Sequence, residues 1–177
     1  MNNLARHFIS CLSVLCFLSA LLLSGGCAAS STTIIEEEIV ANPKPMYNYK
    51  SLIIKDFELK REMFTDAEES GMSGREIAYA KIPAELSDQI ERYVKLNGTF
   101  AKVSRAGKSD ASTLLLTGKF TRVGRFKISV QVILIDGETG ANVASFSQTL
   151  WDVMDTTVSV GEMGREVADF LYRIQYK

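Results

Sequence analysis

The sequence contains few of the side chains from which many active sites are built. Only three cysteines and one histidine are present, and His7, Cys11 and Cys16 all lie near the amino terminus. If that segment is removed, Cys27 is the one cysteine left and no imidazole remains. This excludes a Cys–His pair, a Ser–His triad and the usual nitrogen and sulfur zinc sites. It also excludes a disulfide within the mature chain.

Other signatures of catalysis and of nucleic-acid binding are also missing. The sequence has no P-loop and no glycine-rich dinucleotide turn, and its carboxylates are not grouped in a catalytic motif. The 20 basic and 21 acidic side chains nearly cancel, whereas nucleic-acid binding favours a basic surface. The sequence therefore predicts a protein that is not an enzyme, holds no cofactor or metal and does not bind nucleic acid.

The amino-terminal segment has the layout of an export signal. Arg6 gives a short positive head, an apolar run extends from Phe8 to Leu23, and small residues lead to Cys27. The run is shorter than the roughly 20 apolar residues of a membrane-spanning helix, and its layout is typical of a secretory signal. Two alternatives stay open, an uncleaved anchor and a secreted chain cut near Ala29.

The exit sequence LSGGC resembles a bacterial lipobox, although Ser24 holds the place where a branched apolar residue is usual. The resemblance implies that residues 1–26 are a signal peptide and that Cys27 carries diacylglycerol and palmitate-class chains, a durable membrane anchor. Since Asp after the cysteine favours the inner membrane in such proteins, Ala28 implies a periplasm-facing position at the outer membrane.

Residues 27–47 are predicted to be a flexible tether. The segment is rich in small and polar residues and includes Pro43 and Pro45, a composition that buries little surface. The acidic run Glu36 to Glu38 is interpreted either as a docking patch or as a solvating sequence that keeps the tether off the membrane. The apolar residues before it could form a short strand or lie on the membrane surface.

Residues 48–177 are predicted to form a single α+β periplasmic domain. Hydrophobic alternation predicts strands near 49–59, 99–107, 113–123, 126–136 and 141–151. Helical periodicity predicts helices over 82–98, with Pro83 in its first turn, and over 159–174, with a capping box of Ser159 and Glu162. The order β-α-β-β-β-β-α predicts a two-layer domain, a mixed five-stranded sheet with both helices on one face.

Three stretches resemble those of a known family. LIIKDFEL, LLLTGKFTRV and VILIDGETGANVASF are similar to segments of bacterial envelope lipoproteins of unknown function. That family is similar in fold to the amino-terminal domain of TolB, to the periplasmic domain of the curli secretion lipoprotein and to lipoprotein activators of peptidoglycan synthases. The resemblance covers about residues 48–175 and implies no catalytic residues. RVGRFK replaces a longer glycine-rich insert of the relatives.

Three kinds of function remain as hypotheses, all with a membrane-anchored chain and an envelope partner. The first is an adaptor that adds a partner strand at a sheet edge near Lys102 and Arg105, where the two cations alternatively protect the edge from aggregation. The second is ring assembly without a membrane pore, since residues 60–81 lack the alternation of barrel strands. The third is binding of anionic lipid or glycan by Lys119, Arg122, Arg125 and Lys127 around the turn at Gly124.

Overall fold

The computed structural model describes residues 33–39, 44–60, 74–124, 126–151, 153 and 156–176. Residue contacts separate Met1–Ser30 from Ser31–Lys177, and every element below belongs to the second unit. The predicted signal peptide, Cys27 and Arg125 lie outside the described residues.

The domain is built on one sheet of six strands in the order β1-β6-β5-β4-β2-β3. The strands are β1 (Thr33–Ile39), β2 (Ser51–Ile54), β3 (Lys102–Ser104), β4 (Thr113–Val123), β5 (Lys127–Asp136) and β6 (Asn142–Trp151). The helices are α1 (Gly74–Asn97) and α2 (Thr156–Gln175), and a 3-10 turn (Met46–Asn48) precedes β2. Strand β2 pairs in parallel with β3 and β4, and the other pairs are antiparallel. The predicted α+β class with a mixed sheet is confirmed.

The sixth strand comes from the segment that the sequence predicts as tether. Strand β1 pairs with β6 along its whole length, from Thr33 opposite Leu150 to Ile39 opposite Ala144. All seven of its residues are exposed, so the strand carries no alternation of buried and polar positions. The predicted count of five strands was wrong because backbone pairing, rather than burial, forms this strand.

Helix α1 is longer than predicted, and Pro83 lies inside it rather than in its first turn. Proline has no backbone N–H and therefore removes one helical hydrogen bond. The helix nevertheless begins at Gly74, and eight residues separate Gly74 from Pro83. The Ser87 hydroxyl donates to the Pro83 carbonyl at 3.0 Å. Helix α2 likewise begins at Thr156, so Ser159 is a buried residue of the first turns and not the predicted N-cap.

Both helices contribute to the core that covers one face of the sheet. The apolar face of α1 supplies Leu86, Ile90 and Val94, and α2 supplies Met163, Val167 and Phe170. Ring centroids of Phe146 on β6 and Phe170 lie 5.3 Å apart. The side of the sheet that faces these helices is called the helix face, and the other side is called the open face. Among the described residues, neither helix is both long enough and apolar enough to cross a bilayer.

Candidate functional site

The open face of the sheet gathers three of the four cations predicted to bind anions. Leu114, Leu116 and Phe120 are fully buried against the helices. Because side chains alternate along a strand, Lys119 lies on the open face. Lys127 on β5 lies on the same face, since its neighbours Ile128 and Val130 are buried in the core.

A β-bulge decides the position of Arg122. Simple alternation along β4 would place Arg122 on the helix face with Phe120. The register shifts between these two residues, so that Arg122 lies opposite Ser129 while Phe120 lies opposite Val130. A bulge adds one residue to a strand and restarts the alternation. Arg122 is therefore exposed on the open face together with Lys119.

The Trp151 ring lies on the open face beside Lys127. Lys119, Arg122, Lys127 and Trp151 are together called the cationic cluster. The Lys127 ammonium nitrogen lies 4.2 Å from the centroid of the Trp151 ring, a cation–π geometry. The indole is 39% exposed and pairs with Lys127 across the β5–β6 ladder. Sequence reasoning missed Trp151, although its place at the end of a strand opposite a lysine was a usable signal.

The cationic cluster can bind a negatively charged, extended group by charge and by ring contact. The Ser129 and Thr149 hydroxyl oxygens lie 2.9 Å apart beside it, and hydroxyls can donate to phosphate or carboxylate oxygens. Because salt screens long-range attraction between charges, we expect such binding to weaken as the salt concentration rises.

The predicted edge strand is β3, which lies at the end of the sheet. Its two predicted cations are in different environments. The Arg105 guanidinium is 2.7 Å from Asp56 and 3.6 Å from Asp88, so it ties the end of β3 to neighbouring segments of its own chain. Lys102 is exposed on the open face and is the more accessible of the two.

A buried carboxylate that sequence reasoning did not single out as a site lies at the end of β5. Asp136 is 2% exposed and accepts hydrogen bonds from the Tyr49 hydroxyl at 2.7 Å and from the backbone N–H groups of Glu138 and Thr139. The Lys44 ammonium lies 2.6 Å from it. Burial raises the pKa of Asp136, but the hydrogen bonds from Lys44, Thr139 and Tyr49 outweigh burial and hold that pKa well below its usual range.

This carboxylate is ionised and fully engaged, so its geometry suits turn stabilisation and not proton transfer. Asp110, in the turn before β4, also accepts several hydrogen bonds from nearby residues. Hydrogen bonds, first from Thr113 and then from Ser112, lower the pKa of Asp110. General acid–base catalysis at neutral pH favours carboxyls whose pKa is raised. No group of three potential metal ligands occurs within the described ranges.

A small cleft lies where the carboxyl end of α2 meets the segment before β2. It has a volume of about 310 Å³ and is lined by Tyr47, Lys50, Thr99, Gln175 and Tyr176, among others. The Gln175 amide nitrogen donates to the Tyr49 carbonyl at 3.0 Å. Within the described part of the chain, the buried Thr99 hydroxyl and the buried Gln175 amide oxygen lack a hydrogen-bond partner.

No protein-family model and no curated protein matches the sequence. Solved structures do match. The PelC dodecamer from Paraburkholderia phytofirmans has a TM-score of 0.52 and 12% identity, and the match covers 80% of this chain and 98% of the PelC chain. A point-substituted PelC dodecamer in another crystal form has 15% identity with the same TM-score and the same coverage.

A crystal structure of an uncharacterised protein is more distant. Its TM-score is 0.46 at 11% identity, and the match covers 71% of this chain and 91% of the other. At these identities the PelC likeness shows a shared fold: this domain is similar in architecture to PelC over nearly the whole PelC chain.

Proposed function

We propose that this protein is a non-catalytic, lipid-anchored component of the bacterial envelope that assembles with copies of itself and holds another envelope component. The observation that carries the proposal is the likeness to PelC, which covers 98% of a chain that forms a dodecamer. The engaged carboxylates at Asp110 and Asp136 support a structural and not a catalytic role.

The anchor in this proposal is Cys27. Signal cleavage before Cys27 would leave the sulfur as the attachment point for acyl chains, with the outer membrane as the site because Ala28 follows. Metabolic labelling with an alkyne palmitate analogue should label the wild-type chain, and the Cys27→Ala variant should remain unlabelled. Mature protein with a free Cys27 thiol and residues 1–26 still attached would contradict the anchor.

Self-assembly is tested on the full chain, purified in detergent from the membranes of a bacterium with two membranes. Native mass spectrometry should show one closed complex with a fixed number of copies, because cyclic contacts stop growth when the ring closes. Crosslinking in living cells followed by mass spectrometry should then recover an envelope partner. A chain that stays monomeric at all concentrations would contradict the assembly.

The cationic cluster favours a second candidate function, the binding of anionic lipid headgroups or glycan carboxylates. Lys119, Arg122 and Lys127 share one face with the exposed Trp151 ring. Vesicles containing phosphatidylglycerol should bind the protein at low salt and release it at high salt. Substitution of the three cations by Gln should abolish binding, whereas Lys81→Gln on the exposed side of α1 should not. Vesicle binding that changes neither with salt concentration nor with these substitutions would contradict this function.

A further inference from the structure

The two outer strands of the sheet are complementary in direction and in charge. Strand β1 ends one side of the sheet and β3 ends the other. Following the pairs across the sheet, β1 runs opposite to β6, and β6 runs in the same direction as β4, β2 and β3. A second copy placed beside the first in the same orientation would therefore bring its β1 antiparallel to β3. Strand β1 carries Glu36 to Glu38, and β3 begins with Lys102.

We propose that copies of this chain join edge to edge, with β1 of one copy adding to β3 of the next and Glu36 facing Lys102 across the junction. This inference rests on the proposed self-assembly and names the surface that carries it. Outer strands have backbone N–H and C=O groups that no neighbouring strand uses, and these groups can pair with another chain.

The backbone of β3 offers one position for such pairing. The Lys102 N–H donates to the Lys50 carbonyl on the β2 side at 3.2 Å. Because backbone groups alternate in direction along a strand, the N–H and C=O of Val103 point away from β2. Val103 can therefore exchange two hydrogen bonds with one residue of an antiparallel neighbour.

The faces of the two strands fix the register. Val103 pairs with the fully buried Leu52, which places its side chain on the helix face, and Lys102 on the open face. On β1, Ile35 lies opposite the buried Gln148 and so shares the helix face. Placing Val103 opposite Ile35 joins two apolar side chains on that face. The same register brings Lys102 opposite Glu36 on the open face.

The charges on β1 also favour a head-to-tail contact over a symmetric one. Glu37 already pairs with Arg173 of its own chain, and Glu38 accepts from Ser145 at 3.5 Å. Two copies of β1 paired antiparallel about Glu37 would place Glu36 opposite Glu38 in both directions, and like charges directly opposite each other repel. A β1–β3 contact uses different surfaces on the two copies, and such contacts build rings when the rotation closes.

Charge reversal tests the junction in the full chain purified in detergent. Glu36→Lys and Lys102→Glu should each raise the protomer concentration at half assembly by about tenfold, because each puts like charges opposite each other. The double variant should regain most of the lost assembly. Lys81→Glu makes the same charge change on α1 and should have no effect. Circular dichroism spectra matching wild type establish that each variant is folded.

Disulfide trapping tests the register directly. With Val103 opposite Ile35, Ser104 and Ile34 form a non-hydrogen-bonded pair, whose Cα separation of about 4.5 Å suits a disulfide. The Ile34→Cys, Ser104→Cys variant should form a ladder of covalent multimers under mild oxidation. The Glu38→Cys, Ser104→Cys variant should not, because these positions are far apart in the register.

The outcomes separate the inference from the function on which it rests. A closed complex that survives both charge reversals and yields no ladder would overturn the edge-to-edge junction and leave self-assembly intact. A wild-type chain that remains monomeric would overturn both. Loss in the single variants, recovery in the double variant and a selective ladder would together establish the junction.

Discussion

Asp136 is a turn residue whose side chain is buried by tertiary contacts. Its side chain accepts the N–H groups of Glu138 and Thr139, a local pattern typical of Asp in turns. Gly140 adopts a left-handed φ of 73° and closes the turn. The tertiary fold then adds Tyr49 and Lys44, far away in the sequence, and the Lys44 ammonium lies 4.7 Å from the centroid of the Tyr49 ring. The carboxylate thus links the hairpin to the segment before β2.

Asp136→Asn is expected to destabilise the domain. Neutralising a buried acceptor of four donors should lower the free energy of unfolding by about 2–3 kcal/mol at about pH 7. The unfolded carboxyl titrates near pH 4, and the folded pKa lies below that value. The stabilisation is therefore complete above about pH 4 and is lost as the pH falls through the folded pKa. The measurement is urea unfolding of both proteins across this range.

The control is Glu138→Gln, which removes a neighbouring charge that is 61% exposed and 4.0 Å from Lys44. Exposed ion pairs contribute about 0–1 kcal/mol, so this variant should unfold almost like wild type. Equal unfolding free energies for the Asp136→Asn variant and wild type at neutral pH would contradict the role given to Asp136.

At the scale of elements, the packing of α1 against α2 depends on a glycine. A Cβ built on Gly164 would lie 2.6 Å from the Gln89 Cβ and 3.2 Å from the backbone of α1. The two helices approach so closely there that a side chain cannot fit. Gly161, one turn earlier in the same helix, has open space around the corresponding position.

Alanine at these two positions should therefore have opposite effects. Gly164→Ala should lower the unfolding free energy by about 1–3 kcal/mol through overpacking. Gly161→Ala should raise it by about 0.5–1 kcal/mol, since alanine favours a helix over glycine. Thermal unfolding followed by circular dichroism distinguishes them, and a stabilised Gly164→Ala variant would contradict the close approach of Gly164 to Gln89.

The bulge in β4 shows what sequence periodicity misses within an element. Alternation alone separates Lys119 and Arg122 onto opposite faces, and the extra residue Thr121 brings them together. Gly118 in the same strand is also surrounded by residues from elsewhere in the fold. A Cβ on Gly118 would lie 2.4 Å from the Phe57 ring and 2.5 Å from the Gln131 carbonyl oxygen. Neither close approach follows from the local sequence, because both partners come from other strands or loops.

At the scale of the whole molecule, β1 extends the sheet without adding to the buried core. Its seven residues are exposed, whereas the buried core is formed mainly by β2, β4, β5, β6 and the two helices, with Val103 of β3 packed against it. An ion pair between Glu37 and Arg173 links the strand to α2. Strand β1 therefore contributes backbone hydrogen bonds and a charged outer edge to the sheet, and it buries little apolar surface.

A chain that starts at Lys44 should fold without β1. It should lose a few kcal/mol of stability, since net contributions of hydrogen bonds are about 1 kcal/mol each. We expect one cooperative thermal transition at a lower Tm and a far-ultraviolet spectrum that keeps both helices. A truncated chain with no thermal transition would show that β1 is required for the fold.

The sequence by itself determined the α+β class, the hairpin at Asp136 and the core faces of the two helices, because each follows from local periodicity or turn chemistry. The tertiary structure alone decided that residues 33–39 form a strand, that Arg122 joins Lys119, that Tyr49 and Lys44 meet Asp136, and that Arg105 is tied to Asp56. Each of these depends on the pairing of segments far apart in the chain, for which a single sequence carries no periodic signal.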